Sequence, residues 1–243
     1  MFGKIVVMSL SLVVCACTSM VDDLENRVQQ KLQQMLAEKF AERLTDGIDV
    51  VVSELAKSGG YLNDPLVRIL LPPPLGIIAG VASELQKNPD ADLLQTLMNQ
   101  AAEHAIPVAG PILKNLITHM DEPTLEGVLH AGNQGASQYL KQHAGDMVQT
   151  ALLPAITAEL NANGAVELYG KLLDIKSKAD SITATANDVQ QTLETAQQLQ
   201  AEPENIAKEQ LAQYVAEQAM GGMFRKIAQQ ELSIRQNLQQ PML

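Results

Sequence analysis

Tryptophan is absent from this chain, and only three phenylalanines and four tyrosines are spread over its 243 residues. So thin an aromatic complement argues against a stacking platform for nucleobases or sugars. Basic residues are also scarce. Seventeen lysines and arginines face 28 aspartates and glutamates, a formal net charge of −11. That balance argues against nucleic acid as a partner and against electrostatic docking on anionic lipid. The two cysteines are Cys15 and Cys17, so no disulfide framework exists further along the chain. No apolar run approaches the roughly 20 residues needed to span a bilayer. Catalytic signatures are missing as well: neither G-x-S-x-G nor H-E-x-x-H occurs, and no glycine loop is spaced to cradle phosphate.

What is present begins at the N-terminus. Lys4 gives a positive start, Ile5 to Val14 forms a short apolar core, and small residues with cysteine follow. That order reads as a secretory signal. Val14-Cys15-Ala16-Cys17 resembles the bacterial lipobox, in which a small residue precedes the cysteine that is acylated and becomes the first residue. The resemblance implies a signal peptide over residues 1–16 and lipid attachment at Cys17. Leu12-Val13-Val14-Cys15 is a competing register, with valine a poorer residue than alanine before the cut, and an ordinary signal peptide is the bland alternative. A single acyl chain holds a membrane only marginally, whereas the three that lipoprotein maturation implies hold it stably. Thr18 and Ser19 follow where an aspartate would resemble an inner-membrane retention signal. The expected place is therefore the bacterial envelope, on the outer membrane and facing the periplasm.

The rest of the chain reads as helix. Alanine, leucine, glutamine, glutamate and methionine dominate, and all favour it. From Val21 to Ala56 apolar residues recur in steps of three and four, predicting one long helix with one apolar face. Its first part, residues 17–46, reads as an anchored stalk or as a core-packing first helix. Beyond it, residues 47–243 read as one all-α domain of about nine or ten helices, counted from the breakers Asn88-Pro89, Pro107, Pro111, Gly132, Gly145, Pro154, Asn163-Gly164, Glu202-Pro203 and Gly221-Gly222. A stretch near 177–202, rich in Ala, Thr and Gln, has the texture of a polar helical insertion with a weak coiled-coil seam.

One stretch cannot be ordinary helix. Gly59-Gly60-Tyr61-Leu62-Asn63-Asp64-Pro65-Leu66-Val67-Arg68-Ile69-Leu70-Leu71-Pro72-Pro73-Pro74 combines a glycine pair with four prolines, yet it is too apolar for a free linker. It predicts an extended segment laid across the helices. Arg68 stands among branched apolar residues, where it must snorkel or find a carboxylate. Either it pins the segment through an ion pair, or it grips an anion such as a lipid head group. Tyr61, Asn63, Asp64, Pro65 and Arg68 are accordingly the candidate ligand or structural-pin residues.

Other candidates are weaker. Glu126 and His130 stand four apart on one helix face, a spacing that suits two metal ligands. No second histidine matches them, so no metal site and no cofactor is expected. Gly132-Asn133-Gln134-Gly135 has the look of an anion loop but reads more simply as one helix ending and another being capped. Ten methionines in a chain so poor in aromatics either fill core gaps or line an adaptable cavity.

Taken together, several blocks look familiar. Gly60 to Pro72, then Ala101-Ala102-Glu103-His104-Ala105-Ile106-Pro107-Val108-Ala109-Gly110-Pro111-Ile112, resemble the signature stretches of a bacterial lipoprotein family known as domain of unknown function 4197. Gly127-Val128-Leu129 with Ala136, Gln138, Tyr139 and Leu140 resembles its next block, and Gly164-Ala165-Val166 with Tyr169 follows. Ala219-Met220-Gly221-Gly222-Met223-Phe224 with Ile227, Ala228, Glu231, Ile234 and Arg235 completes the order. The resemblance implies a secreted, all-helical, envelope-associated domain and supplies no activity. Three functions stay open at this point. The first is a non-catalytic module anchored through Cys17 that binds an envelope protein or scaffolds the envelope. The second is a carrier of a hydrophobic, lipid-like ligand with Arg68 near its polar end. The third is a hydrolase without a recognisable motif.

Overall fold

The computed structural model describes residues 5–73, 75, 89–187 and 206–239, with side chains for 24–73, 75, 89–178 and 206–238. Among them are α1 (Ile5–Leu55), α2 (Pro89–Ala105), α3 (Ala109–Thr118), α4 (Glu122–His130), α5 (Gly135–Ala162), α6 (Ala165–Asn187) and α7 (Leu211–Gln239). Short 3₁₀ turns, Ile106–Val108 and Lys208–Gln210, precede α3 and α7. No strand occurs among the described residues. The expected all-α class holds, with fewer and longer helices than the nine or ten anticipated. Apart from Leu75, the stretch between the proline run and the Asn88-Pro89 break, where a small-residue helix is expected, lies outside the described residues, as does the end of the polar insertion, 188–202.

The difference in number has a local cause. Several residues expected to end helices sit inside them. Pro154 lies within α5, exposed, so the missing N–H is on the solvent side and the helix continues. Gly145 is likewise inside α5, and the Gly221–Gly222 pair is inside α7. Among the boundaries that did hold, two carry a positive-φ glycine: Gly132 has φ +85° and Gly164 φ +79°, backbone that only glycine adopts readily. Asp121 caps α4 by accepting from the Thr124 N–H at 3.0 Å.

α5 is the centre of the bundle, with α2, α3, α4, α6 and α7 packed around it. Its row Ala136, Leu140, Ala144, Val148, Leu152, Ile156 and Leu160 is buried throughout. Four residues turn a helix about 40° past a full revolution, so such a row winds around its helix. It stays buried here because a different neighbour meets it at each level.

α1 carries a similar row, Leu24, Val28, Leu32, Leu36, Phe40, Leu44 and Ile48, with a different outcome. Its exposure falls from 64% at Leu24 through 60%, 50% and 36% to 1% at Phe40 and 0% at Ile48. Only one side of α1 meets the body, so the row reaches the core at Phe40 and leaves it on the way back to Leu24. The single apolar face expected for α1 is therefore two. One is buried by α3, α4 and α7, and the other is exposed on the N-terminal part of the helix. None of the described helices is long and apolar enough to cross a membrane.

Candidate functional site

The segment after α1 is organised by backbone groups that lack helical partners. Gly59 has φ +81°, and a Cβ on Gly60 would lie 2.5 Å from the carbonyl oxygens of Glu54 and Leu55. Only glycine lets the chain turn this tightly under the end of α1. The turn points three N–H groups inward, and the buried Glu103 carboxylate of α2 takes them all. Its oxygens accept from Gly59 and Tyr61 at 3.1 Å and from Leu62 at 3.4 Å. The anion in this nest is the protein's own.

Residues 65–67 close a turn on the Asp64 carbonyl, which accepts from the Val67 and Arg68 N–H groups at 3.1 and 2.9 Å. The chain then runs without turns from Arg68 to Leu71, and across both parts Val67, Ile69 and Leu71 are buried while Leu66, Arg68 and Leu70 are exposed. That is strand-like alternation with no neighbouring strand, so side chains supply the pairing. Asn99, one turn before Glu103, does so reciprocally. Its Oδ1 accepts from the Ile69 N–H at 2.9 Å, and its Nδ2 donates to the Ile69 carbonyl at 2.8 Å. Tyr214 donates its hydroxyl to the Leu70 carbonyl at 3.1 Å, and Arg225 donates to the Leu66 carbonyl at 2.9 Å. The segment thus behaves as one strand sheathed by α2 and α7.

The sequence-predicted residues fall within this clasp in unequal roles. Tyr61 is fully buried, and its hydroxyl donates to the Ala219 carbonyl at 2.9 Å. Burial pushes its pKa well above the ordinary tyrosine value. Asp64 caps the next turn by accepting from Leu66 N–H at 2.9 Å and pairs with Lys226 at 3.0 Å. Those two contacts, the backbone bond first, hold its carboxyl below the usual range. Asn63 and Pro65 are exposed. Arg68 is exposed too, and its Nε donates to the Leu62 carbonyl. The ion pair expected of Arg68 is made by Asp64 instead, to a lysine on α7. Arg68 sits at an outward position of the alternation, so its head reaches solvent without crossing apolar surface.

A second clasp joins α7 to the corner between α4 and α5. Fully buried Glu231 accepts from the Ala136 and Ser137 N–H groups at 2.9 and 2.8 Å. Asn133 was the expected cap of α5; the carboxylate of Glu231 does that work, with the favourable helix dipole. Arg235 holds Glu231 at 2.7 Å, donates to the Val128 carbonyl at 2.9 Å and to Leu129, and lies 4.5 Å over the Phe40 ring. One buried ion pair thereby closes the end of one helix and the start of the next.

The remaining candidates scatter. His104 pairs with Glu159 at 3.0 Å on the surface, while His119 and His143 contact carbonyls one turn earlier in their own helices. His130 is exposed, and the described residues contain no group of three His, Cys, Asp or Glu able to hold a metal. Met98 and Met223 are buried core filler, whereas Met35 and Met147 are exposed. α1 passes through the position of Cys17, whose side chain lies outside the described residues.

Two grooves open on the surface. One, of about 530 Å³, runs between α5 and α7 past Leu66, Lys141, Phe224 and Arg225. The other, of about 660 Å³, runs between α1 and α7, with Leu36, Val50, Ile234 and Leu238 below Lys39 and Arg43. A family model described as Protein of unknown function (DUF4197) matches residues 30–242. No curated protein and no solved structure matches the chain.

Proposed function

From the premise that this chain belongs to the DUF4197 family, we propose that it is a non-catalytic interaction or scaffold module of the bacterial envelope. In this reading Cys17 carries the lipid, the outer membrane holds it, and the helical body faces the periplasm. One observation carries the non-catalytic part. The buried polar groups Asn99, Glu103, Glu231 and Arg235 are spent on backbone termini and on each other. Catalytic carboxylates need a free oxygen in a cleft and a partner group at substrate distance. These have neither. The exposed apolar face of α1 gives the module something to dock with.

The carrier reading loses its argument on the same grounds. Arg68, assigned there to the polar end of an internal cavity, stands on the surface. The helices of the core are filled by fully buried side chains such as Tyr61, Leu94, Met98 and Leu140. The test of the proposal is metabolic labelling with palmitate. Label should enter the wild type and vanish from Cys17→Ser. Label kept by that variant, or absent from the wild type, overturns the lipid anchor. Native mass spectrometry of the protein should also show the chain without a stoichiometric lipid-sized adduct beyond its covalent anchor; such an adduct would restore the carrier.

A further inference from the structure

The outward side of α1 holds two features end to end. Residues 24–36 form an exposed apolar ridge, and residues 36–50 form one wall of the groove against α7. At 100° per residue, Val28 and Met35 lie about half a turn from the side that buries Phe40, Leu44 and Ile48. Leu32, Lys39 and Asp46 recur at intervals of seven, as do Leu36, Arg43 and Val50. A seven-residue interval keeps a seam facing a partner helix. Ridge and groove are thus one continuous seam of α1, with nothing from the described body covering it.

The two halves of the seam also complement one another. At a rise of about 1.5 Å per residue, the ridge is about 18 Å long and its groove half about 21 Å. Glu25 belongs to the ridge end, and Lys39 and Arg43 line the groove with Asp46 one turn beyond them. Glu25 and Arg43 are 18 residues apart, five turns of helix, so they lie in line on the same side. We infer that a second copy of this chain occupies the seam, in an antiparallel two-fold dimer. The ridge of each copy rests in the groove of the other, the axis passes beside Met35, and Glu25 of each reaches Arg43 of its partner. Such an interface is isologous, and its symmetry closes it at two. Contact is confined to one helix and one groove per copy, at the small end of specific interfaces, so association is weak and needs micromolar chain or a crowded membrane surface. This deepens the interaction reading by naming its partner, and it does not depend on the lipid, so the palmitate test and this one fail separately.

The test uses the full chain with Cys15→Ser and Cys17→Ser in sedimentation velocity from low to high micromolar concentration. A monomer–dimer equilibrium is expected. Val28→Glu with Leu32→Glu should abolish it while leaving the melting temperature of chain too dilute to dimerise unchanged, because both positions are more than a third exposed. Glu25→Arg should weaken the dimer by about tenfold, and Glu25→Arg with Arg43→Glu should restore it. In the same background, Glu25→Cys and Arg43→Cys chains mixed together should form the mixed disulfide. A chain monomeric throughout the range, a Glu25→Cys homodisulfide formed in preference, or a charge swap that fails to rescue would each overturn the antiparallel dimer. The same holds if the doubly substituted ridge still dimerises.

Discussion

At the scale of single residues, the most consequential side chain is one that sequence reading placed in a motif without giving it a role. Glu103 satisfies three inward N–H groups. Glu103→Ala leaves the buried Tyr61 N–H and the half-buried Gly59 and Leu62 N–H groups without that partner, at about 3 kcal/mol, since one unsatisfied buried group costs ~1–3 kcal/mol. For a domain this size that is a fall of roughly 6 to 12 °C in melting temperature. Arg68→Ala removes an exposed head and one bond, so its change should stay within about 1 kcal/mol. Equal losses in the two variants, measured by calorimetry, would mean that the clasp is misassigned. Sequence singled out Arg68 because a charge among apolar residues is visible in one dimension. Glu103 looked like any acid on a helix, because its partners lie more than forty residues away.

Asp64 gives a pH dependence of definite sign. Its carboxyl is held below the ordinary value of 3.8 by the Leu66 N–H and Lys226. A depressed folded-state pKa contributes stability above the unfolded value, lost as pH falls through the folded one. The difference in urea midpoint between wild type and Asp64→Asn should therefore be constant near neutrality and shrink below about pH 4. A difference that grows on acidification would contradict the assignment.

At the scale of elements, the two glycines inside α7 separate packing from propensity. A Cβ on Gly222 would lie 3.1 Å from Val67 Cβ and 3.2 Å from the Tyr61 ring, while one on Gly221 meets only the Arg225 side chain at 3.5 Å. Gly222→Ala should cost ~1–3 kcal/mol by overpacking, and Gly221→Ala should be neutral or gain up to ~1 kcal/mol of helix propensity. Denaturant unfolding of the pair should give opposite signs; a shared sign would show that the clasp segment does not press on α7 there. These glycines also explain what was legible. Gly-Gly in a sequence reads as a break, and here it is a notch that admits Tyr61 and Val67. The all-α class, the long first helix, the Gly132 and Gly164 boundaries and the non-helical character of 59–73 were visible in local composition, whereas the expectation that this whole segment is extended missed the turns over 59–67. The alternation of Val67, Ile69 and Leu71 was hidden because their outward neighbours Leu66 and Leu70 are apolar too.

At the scale of the whole molecule, the two apolar rows of α1 and α5 have the same spacing and opposite fates, and only their surroundings distinguish them. Periodicity identified the α1 row as a helix face, and it held no information on how many neighbours that helix would have. Exposed Leu24, Val28, Leu32 and Met35 are therefore a property of the assembled body, and in the proposed function they are the face by which the module docks. Truncating them to alanine should leave thermal stability within about 0.5 kcal/mol of wild type, as surface changes do. A larger loss by calorimetry on chain too dilute to dimerise would mean that the ridge is already covered within the chain. The proposed function rests on where the molecule is held. Fractionation of cells making the full chain and Cys17→Ser tests that most directly. Wild type should sediment with outer membranes and resist a carbonate wash, while Cys17→Ser should accumulate in the soluble fraction with an unchanged melting temperature. Cys17→Ser that still resists the wash with the membranes, or wild type that is soluble, would contradict it.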